Sequence, residues 1–207
     1  MVELFELTKI REKLPRELKF CTFTAFVVGL FAYAYVFLNP IFIHDGSGLT
    51  FGKVDINSII NGATRMTWLS NFWYLLQDSV QVPWFAGCLS LILYGFSAFF
   101  ACNALTIKSD LCLILITGIM VVQPALISSQ VYGAGGLPFS VALFFSSLAA
   151  WSFFSEWNLR YVIFAFAVIV TIGTYTAYIS WTAVIILIRD IEDILIKPPC
   201  PASVATP

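Results

Sequence analysis

Charged side chains are scarce in this chain. Asp, Glu, Lys and Arg make up 11% of its 207 residues, whereas an average soluble domain contains about 25%. Hydrophobic residues make up 59%, and the mean hydropathy is +0.88. This composition excludes a water-soluble globular domain and predicts an integral membrane protein. The formal net charge of −1 also provides no electrostatic basis for binding DNA or RNA, so we expect no nucleic-acid partner.

Metal ligands are scarce as well. His44 is the only histidine, and the cysteines form no C-x-x-C pair, so the sequence lacks the ligand sets of zinc sites and disulfide frameworks. It also lacks a P-loop and the H-E-x-x-H and G-x-S-x-G motifs. We therefore expect no cofactor. A divalent metal is not required either, because one Asp and one His are too few ligands to demand it.

The chain does contain long charge-free runs. They cover residues 20–44, 79–107, 111–155 and 161–188. A helix needs about 20 apolar residues to cross a bilayer, so each run fits one span except 111–155, which fits two spans divided by the turn-forming stretch 132–138. We predict an all-α integral membrane protein with about five transmembrane helices and an outer loop that carries short interfacial helices. The predicted spans are 20–43, 82–107, 111–130, 137–155 and 161–188, and the predicted outer loop is 44–80.

Basic residues near the chain ends predict the orientation. The N-terminal segment contains Lys9, Arg11, Lys13, Arg16 and Lys19. Because basic segments tend to stay in the cytoplasm, we expect a cytoplasmic N-terminus, with residues 1–19 forming an amphipathic interfacial helix. Residues 191–207 are expected to be a disordered or truncated tail. Five spans would leave Arg189 and Lys197 outside, against the rule, so either a further span is missing or the last one re-enters.

The predicted outer loop holds most of the polar residues suited to chemistry. Asp45 follows the first span and is the candidate general base, with His44 beside it. A basic side chain can stabilise the charge of a departing phosphate, and an aromatic ring can stack on a sugar. From Asp55 to Leu76, apolar residues recur at helical spacing, which predicts a helix resting on the outer surface. The candidate substrate-binding residues are Arg65, Lys53, Asn61 and Trp68.

Simpler roles stay open for several of these residues. Asp45 also fits a solvated loop charge. Arg65 fits the phosphate of a substrate and that of a bilayer lipid equally well, and Asp55 fits a helix N-cap better than a catalyst. For the fifth span, helix packing is the expected role of the aromatic side chains, with lining of a cavity as the alternative. These side chains are Tyr175, Tyr178 and Trp181.

Four short stretches carry a family resemblance. They are IFIHDGSG after the first span, INGATRMTWLSNFW in the loop, WFAGCLSLILYGFSAFFACNAL in the second span and IGTYTAYISWTAVIILI in the fifth. Over roughly residues 20–190, the chain resembles the N-terminal part of the Gtr-type bacterial membrane glucosyltransferases, a GT-C-like family. The resemblance implies a multi-pass bacterial cell-membrane enzyme that moves glucose from a polyprenyl phosphate donor to a surface polysaccharide. It also implies that Asp45 matches the family's loop aspartate.

The chain departs from this family in three respects. The family's adjacent Gly-Arg pair is separated here, as Gly62-Ala63-Thr64-Arg65, and the acidic residue common near the start of the fourth span is missing. Family members are also typically longer, with additional spans. An incomplete copy of such an enzyme is therefore an open alternative.

Two non-enzymatic functions also stay open. One is a lipid-sugar flippase, although the lack of Asp, Glu, Lys and Arg in the predicted spans argues against ion-coupled transport. The other is a non-catalytic membrane partner subunit, for which small residues such as Gly29 and Gly95 would suit helix association.

Overall fold

The described residues form a bundle of helices. In a computed structural model of the protein they are residues 15–39, 69, 72, 83–124, 126–127 and 136–196. No strand occurs among them. The main helices are α1 (Arg16–Leu38), α2 (Pro83–Ala104), α3 (Asp110–Val122), α4 (Leu137–Phe154), α5 (Arg160–Tyr175) and α6 (Ile179–Ile196), with a 3₁₀ turn at Thr176–Tyr178 between α5 and α6. The predicted all-α class is confirmed.

Four helical stretches in this part of the chain are long and apolar enough to cross a membrane. They are Arg16–Leu38, Trp84–Ala104, Leu137–Phe154 and Arg160–Leu195. The last stretch includes α5, the 3₁₀ turn and most of α6. α3 is a shorter apolar helix of 13 residues. The protein is therefore a multi-pass membrane protein.

Proline and glycine set several helix ends. α1 begins directly after Pro15, because a helix rarely continues through a residue that lacks an N–H and restricts its predecessor. It ends before Asn39, which is extended and whose side-chain amide donates to the Tyr35 carbonyl at 2.9 Å. α4 begins after Gly136, whose φ of 59° is left-handed and favours glycine.

α1 and α2 pack closely in antiparallel orientation. Glycine allows the backbones of membrane helices to approach, because it has no side chain between them. Along the α1–α2 contact Gly95 faces Thr22, Gly29 faces Leu91 and Gly87 faces Phe37.

α3 lies beside α1 and runs parallel to it. Arg16 forms an ion pair with Asp110, so the first residues of the two helices meet. Near their other ends, the Tyr33 hydroxyl donates a hydrogen bond to the Val121 carbonyl. These two contacts fix the direction and the register of the pair.

α4 lies at the centre of the bundle and contacts α2, α5 and α6. Phe144 packs edge-on against Phe96 of α2 with ring centroids 6.2 Å apart, and Phe145 packs against Phe166 of α5 at 5.9 Å. Small side chains lie where α4 and its neighbours approach most closely, so α2, α5 and α6 can all pack against α4. The small buried residues of α4 include Ser140, Ala142, Ser146, Ser147, Ala149 and Ala150.

The chain reverses direction between α5 and α6. α5 runs antiparallel to α4, since Phe164 packs against Phe153 and Tyr175 packs against Phe139. At Tyr175 the backbone becomes extended, with φ −157° and ψ 105°. α6 then runs back along α4 towards the end of α2, where Arg189 donates to the Thr106 hydroxyl at 2.7 Å. α5 therefore begins, and α6 ends, at the same end of the bundle.

This reversal differs from the single span predicted over 161–188. The break is possible because the chain between the two helices finds hydrogen-bond partners on α4. In the described residues the last apolar stretch folds back on itself and does not run as one straight helix. It returns Arg189 to the end of the bundle that holds Arg16.

Two predicted boundaries also differ from the structure. Residues 191–196, expected in the tail, continue α6 to Ile196, where Arg189 pairs within the helix with Glu192 at 3.5 Å and Asp193 at 3.7 Å. Residues 16–19, expected in an interfacial helix, form the first turn of α1, because Pro15 sets the start of that helix. Residues 1–14, and most of the predicted outer loop 44–80, lie outside the described residues.

Charge is confined to one end of the bundle, which we call the charged end. The opposite end, where α1 ends and α2 begins, is called the loop end. Among the described residues, the loop end carries no Asp, Glu, Lys or Arg. The charged end carries Arg16, Glu17, Lys19, Lys108, Asp110, Glu156, Arg160, Arg189, Asp190, Glu192 and Asp193.

Gly95→Ala tests the close contact between α1 and α2. The added methyl group would lie 2.5 Å from the Thr22 Cα, so we expect the free energy of unfolding to fall by roughly 1–3 kcal/mol, the usual cost of overpacking. The matched control is Gly118→Ala on α3, where the methyl group meets nothing within 4 Å and no loss is expected. Unfolding of the detergent-solubilised protein by SDS measures both. Equal losses would contradict this packing.

A cysteine at Leu195 tests the reversal of the last span. In a variant without the native cysteines, Leu195→Cys and Lys108→Cys should react with a membrane-impermeant maleimide from the same side of sealed vesicles, because both positions lie at the charged end. Asn39→Cys should react from the other side. Labelling of positions 195 and 39 from one side would mean that α5 and α6 form one continuous span.

Candidate functional site

The residues predicted to carry the chemistry lie outside the described part of the chain. The predicted catalytic residues are Asp45 and His44, and the predicted substrate-binding residues are Arg65, Lys53, Asn61 and Trp68. Their roles stay predictions. The structure does describe both ends of the segment that contains them, which runs from residue 40 to residue 82.

The two ends of this segment are attached to the bundle side by side. Phe37 in the last turn of α1 packs against Gly87 in the second turn of α2. Both ends of the segment, at Asn39 and Pro83, are therefore attached at the same end of the bundle, the loop end.

Four tyrosines approach one another towards the loop end, and we call them the tyrosine cluster. They are Tyr33 of α1, Tyr94 of α2, Tyr175 of α5 and Tyr178 of the 3₁₀ turn. The rings of Tyr175 and Tyr178 have centroids 5.8 Å apart, and Tyr178 packs against the buried cluster that includes Tyr33 and Tyr94. Tyr33 and Tyr94 are almost completely buried. The cluster thus joins helices from both halves of the sequence.

The Tyr33 hydroxyl has a defined structural task. α3 ends at Val122, so the carbonyls of its last turn need partners from outside the helix. The Tyr33 hydroxyl supplies one of them by donating to Val121. An aromatic residue with a polar tip is suited to this position, because its ring packs in the apolar core while its hydroxyl satisfies a backbone group.

Hydroxyl groups of α4 hold the turn between α5 and α6. The Ser146 hydroxyl donates to the Tyr178 carbonyl at 2.6 Å, and the Thr182 hydroxyl donates to the Ser146 carbonyl at 2.9 Å. The Trp181 ring N–H donates to the Ser147 hydroxyl at 3.0 Å. Backbone groups at a helix break must be satisfied by protein where water is excluded, and these bonds meet that need.

Polar contacts continue from this turn towards the loop end. The Ser140 hydroxyl lies 3.2 Å from that of Ser90 on α2, and it also bonds to the Leu137 carbonyl at 2.8 Å. Both serines are completely buried. Uncharged hydroxyl groups therefore lie along the contacts of α4 with α2 and α6.

The described part of the loop end contains hydroxyl groups and aromatic rings but no carboxylate or basic side chain. Most of these hydroxyl groups are buried and bond to neighbouring helices. Proton transfer and neutralisation of a phosphate require charged groups. Two stretches of the sequence are attached at the loop end: residues 123–136 contain no Asp, Glu, Lys or Arg, whereas the segment 40–82 contains both acids and bases.

Comparisons with known proteins give no further guidance. No protein-family model, no curated protein and no solved structure matches this chain.

Two members of the tyrosine cluster were not singled out from the sequence. Tyr33 and Tyr94 stand within apolar runs, and a tyrosine there has no neighbour in the sequence that reveals its partner. The aromatic residues of the fifth span, expected to serve in packing, do contact other side chains, and Tyr175 packs against Phe139 of α4. Tyr178 and Trp181 pack against the buried core, and the Trp181 N–H has a partner on α4.

Thr182→Val tests the bonds that hold the α5–α6 turn. It removes the hydroxyl that donates to Ser146, so we expect a loss of roughly 1 kcal/mol in the free energy of unfolding, typical of a hydrogen bond between membrane helices. The matched control is Thr171→Val, since that buried hydroxyl bonds to the Ala167 carbonyl of its own helix at 2.8 Å. The same SDS titration measures both. A larger loss for Thr171→Val would assign the stabilisation to helix geometry rather than to the contact with α4.

Proposed function

We propose that this protein is a membrane glucosyltransferase that moves glucose from a polyprenyl phosphate donor to a surface polysaccharide. The donor lies in the bilayer by its lipid chain, and its phosphate and sugar lie at the surface. The reaction therefore needs a membrane-embedded scaffold with charged groups at one surface.

The separation of charge along the bundle carries this proposal. Every charged residue of the described chain lies at the charged end, whereas the segment 40–82 is attached to the bundle at the loop end. This segment contains acids and bases, including Asp45, Lys53 and Arg65. A single segment with this composition, attached beside a cluster of tyrosines, supports a reaction site at the loop end.

The proposed roles follow from the chemistry of glycosyl transfer. The acceptor hydroxyl must lose a proton as it attacks the anomeric carbon, and Asp45 is the proposed base. His44, the neighbouring residue, is proposed to orient that carboxylate. Asp45 lies six residues beyond Asn39, the last described residue after α1, so it belongs to the part of the loop nearest the membrane helix.

The leaving lipid phosphate gathers negative charge as the sugar–oxygen bond breaks. Arg65 and Lys53 are proposed to stabilise that charge. Asn61 and Trp68 are proposed to bind the sugar, Asn61 by hydrogen bonds and Trp68 by stacking.

The proposed orientation has the charged end in the cytoplasm of a bacterial cell. The basic residues of the described chain support it, because all of them lie at that end and basic residues tend to stay inside. The segment 40–82 would then face the cell exterior, where a surface polysaccharide is accessible.

Asp45→Asn tests the proposed base. With membranes that contain the protein and polyprenyl phosphate carrying labelled glucose, we expect transfer to the polysaccharide to fall about 100-fold or more, the range for loss of a general base. Asp55→Asn is the matched control, because this residue is expected to cap a helix, and it should keep most of the activity. Immunoblotting checks that all proteins are present at equal levels. Full activity of Asp45→Asn would exclude the base role.

A further inference from the structure

The last two turns of α6 continue past its contact with the end of α2. Arg189 donates to the Thr106 hydroxyl at 2.7 Å, and α6 extends from there to Ile196. Near this end Ile194 and Leu195 are 72% and 76% exposed. They lie about 8 Å or more further along the helix axis than Arg189. We call residues 189–195 the α6 tip.

The exposed side chains of the α6 tip are not placed like lipid contacts. Ile194 and Leu195 are further from the loop end than three acids of the same helix, which are Asp190, Glu192 and Asp193. Ionised side chains lie at the membrane surface rather than in the hydrocarbon, so residues beyond them along the helix lie outside the hydrocarbon. An apolar patch exposed there marks an interaction surface. Its members are Ile191, Ile194 and Leu195.

The α6 tip is also acidic. It contains three acids and one base, which gives a formal net charge of −2. The base, Arg189, pairs with Glu192 at 3.5 Å and with Asp193 at 3.7 Å, and Asp190 is exposed. A partner that fits this surface combines apolar side chains with basic ones, because complementary charge favours and orients association.

The segment 1–14 of the same chain has this composition. It lies outside the described residues, but its sequence repeats apolar residues at helical spacing, at Leu4, Leu7, Ile10 and Leu14. Its half next to α1, residues 8–14, contains three bases and one acid, which are Lys9, Arg11, Lys13 and Glu12. That half therefore has a formal charge of +2, opposite in sign to that of the α6 tip. The acids of the other half, Glu3 and Glu6, are further from α1 along the chain.

The segment is attached close enough to reach the α6 tip. It joins α1 at Pro15, and the next residue, Arg16, pairs with Asp110 at the start of α3. Asp110 follows Thr106, the residue that Arg189 contacts, by four positions, and four residues extend at most about 14 Å. The segment is about 21 Å long as a helix and more than twice that when extended. Its length therefore matches the separation.

We propose that the segment 1–14 docks on the α6 tip, with its apolar residues against Ile191, Ile194 and Leu195 and its bases beside the acids. Docking removes exposed apolar side chains from water. It connects the beginning of the chain with its last described helix at the charged end. The surface uses none of the residues assigned to glucosyl transfer, so it is independent of that proposal.

Disulfide cross-linking of the full-length protein in membranes tests this docking. In a variant without the native cysteines, Leu7→Cys is combined with Ile194→Cys or, as the matched control, with Leu111→Cys. Leu111 is 65% exposed in the first turn of α3, next to Asp110 and therefore near the attachment of the segment. We expect the linked peptide to form about tenfold faster with Ile194→Cys, because docking raises the local concentration of one thiol beside the other.

Two results of this experiment would overturn the proposal. Equal or faster linkage to Leu111→Cys would mean that the segment has no preference for the α6 tip, as expected if it rests on the bilayer alone. Linkage to Ile194→Cys only between two molecules, detected in a mixture of isotope-labelled and unlabelled protein, would assign the surface to a second copy of the chain.

Cross-linking with a carbodiimide tests the same contact in the native sequence and does not depend on the folding of a variant. This reagent joins an amine directly to a carboxylate that it contacts. We expect peptides that link Lys9 or Lys13 to an acid of the α6 tip. Their absence at a reagent level that activates Asp190, measured by its capture with an added amine, would also contradict the docking.

Discussion

A backbone that leaves helical geometry inside a bilayer must find its hydrogen bonds in the protein. This constraint shapes the last third of the chain, where α5 ends and α6 turns back. The turn is held by Ser146, which bonds to the Tyr178 carbonyl at 2.6 Å, and by Thr182, which bonds back to α4. Without such partners the straight span would be the more stable arrangement. This turn directs α6 back along α4. The charged residues of α6 therefore lie at the charged end of the bundle and not at the loop end.

The membrane class could be predicted from composition, because charge-free apolar runs of about 20 residues or more are typical of membrane spans. The reversal between α5 and α6 could not be predicted from the sequence. Residues 175–178 read Tyr-Thr-Ala-Tyr and contain neither Gly nor Pro, so they give no local sign of a break. The partners that stabilise the break belong to α4, about 30 residues earlier. Hydropathy measures the length of an apolar run and carries no information about its direction. The charge of Arg189 was the one available indication.

The candidate site could also be predicted only in part. Its charged residues, such as Asp45 and Arg65, were recognisable because charge is rare in this chain and these residues lie in the long loop predicted between the first two spans. Tyr33 and Tyr94 were not recognisable, because tyrosines in an apolar run look like ordinary packing residues until their partners on other helices are known. The bundle contributes neutral hydroxyls and aromatic rings, and the segment 40–82 contributes the charges. In the proposed function, substrate binding and catalysis both belong to the segment 40–82, and the bundle holds the two ends of that segment side by side.

Among the described residues charge lies at one end of the bundle, and this has a consequence for biogenesis. The basic residues there come from four places in the sequence: the start of α1, the α2–α3 connection, the start of α5 and the end of α6. They are Arg16, Lys19, Lys108, Arg160 and Arg189. Each pair of helices that emerges from the ribosome therefore carries its own orientation signal, and the later signals agree with the first. Topology is encoded redundantly, so neutralising one cation would leave the remaining cations to direct insertion.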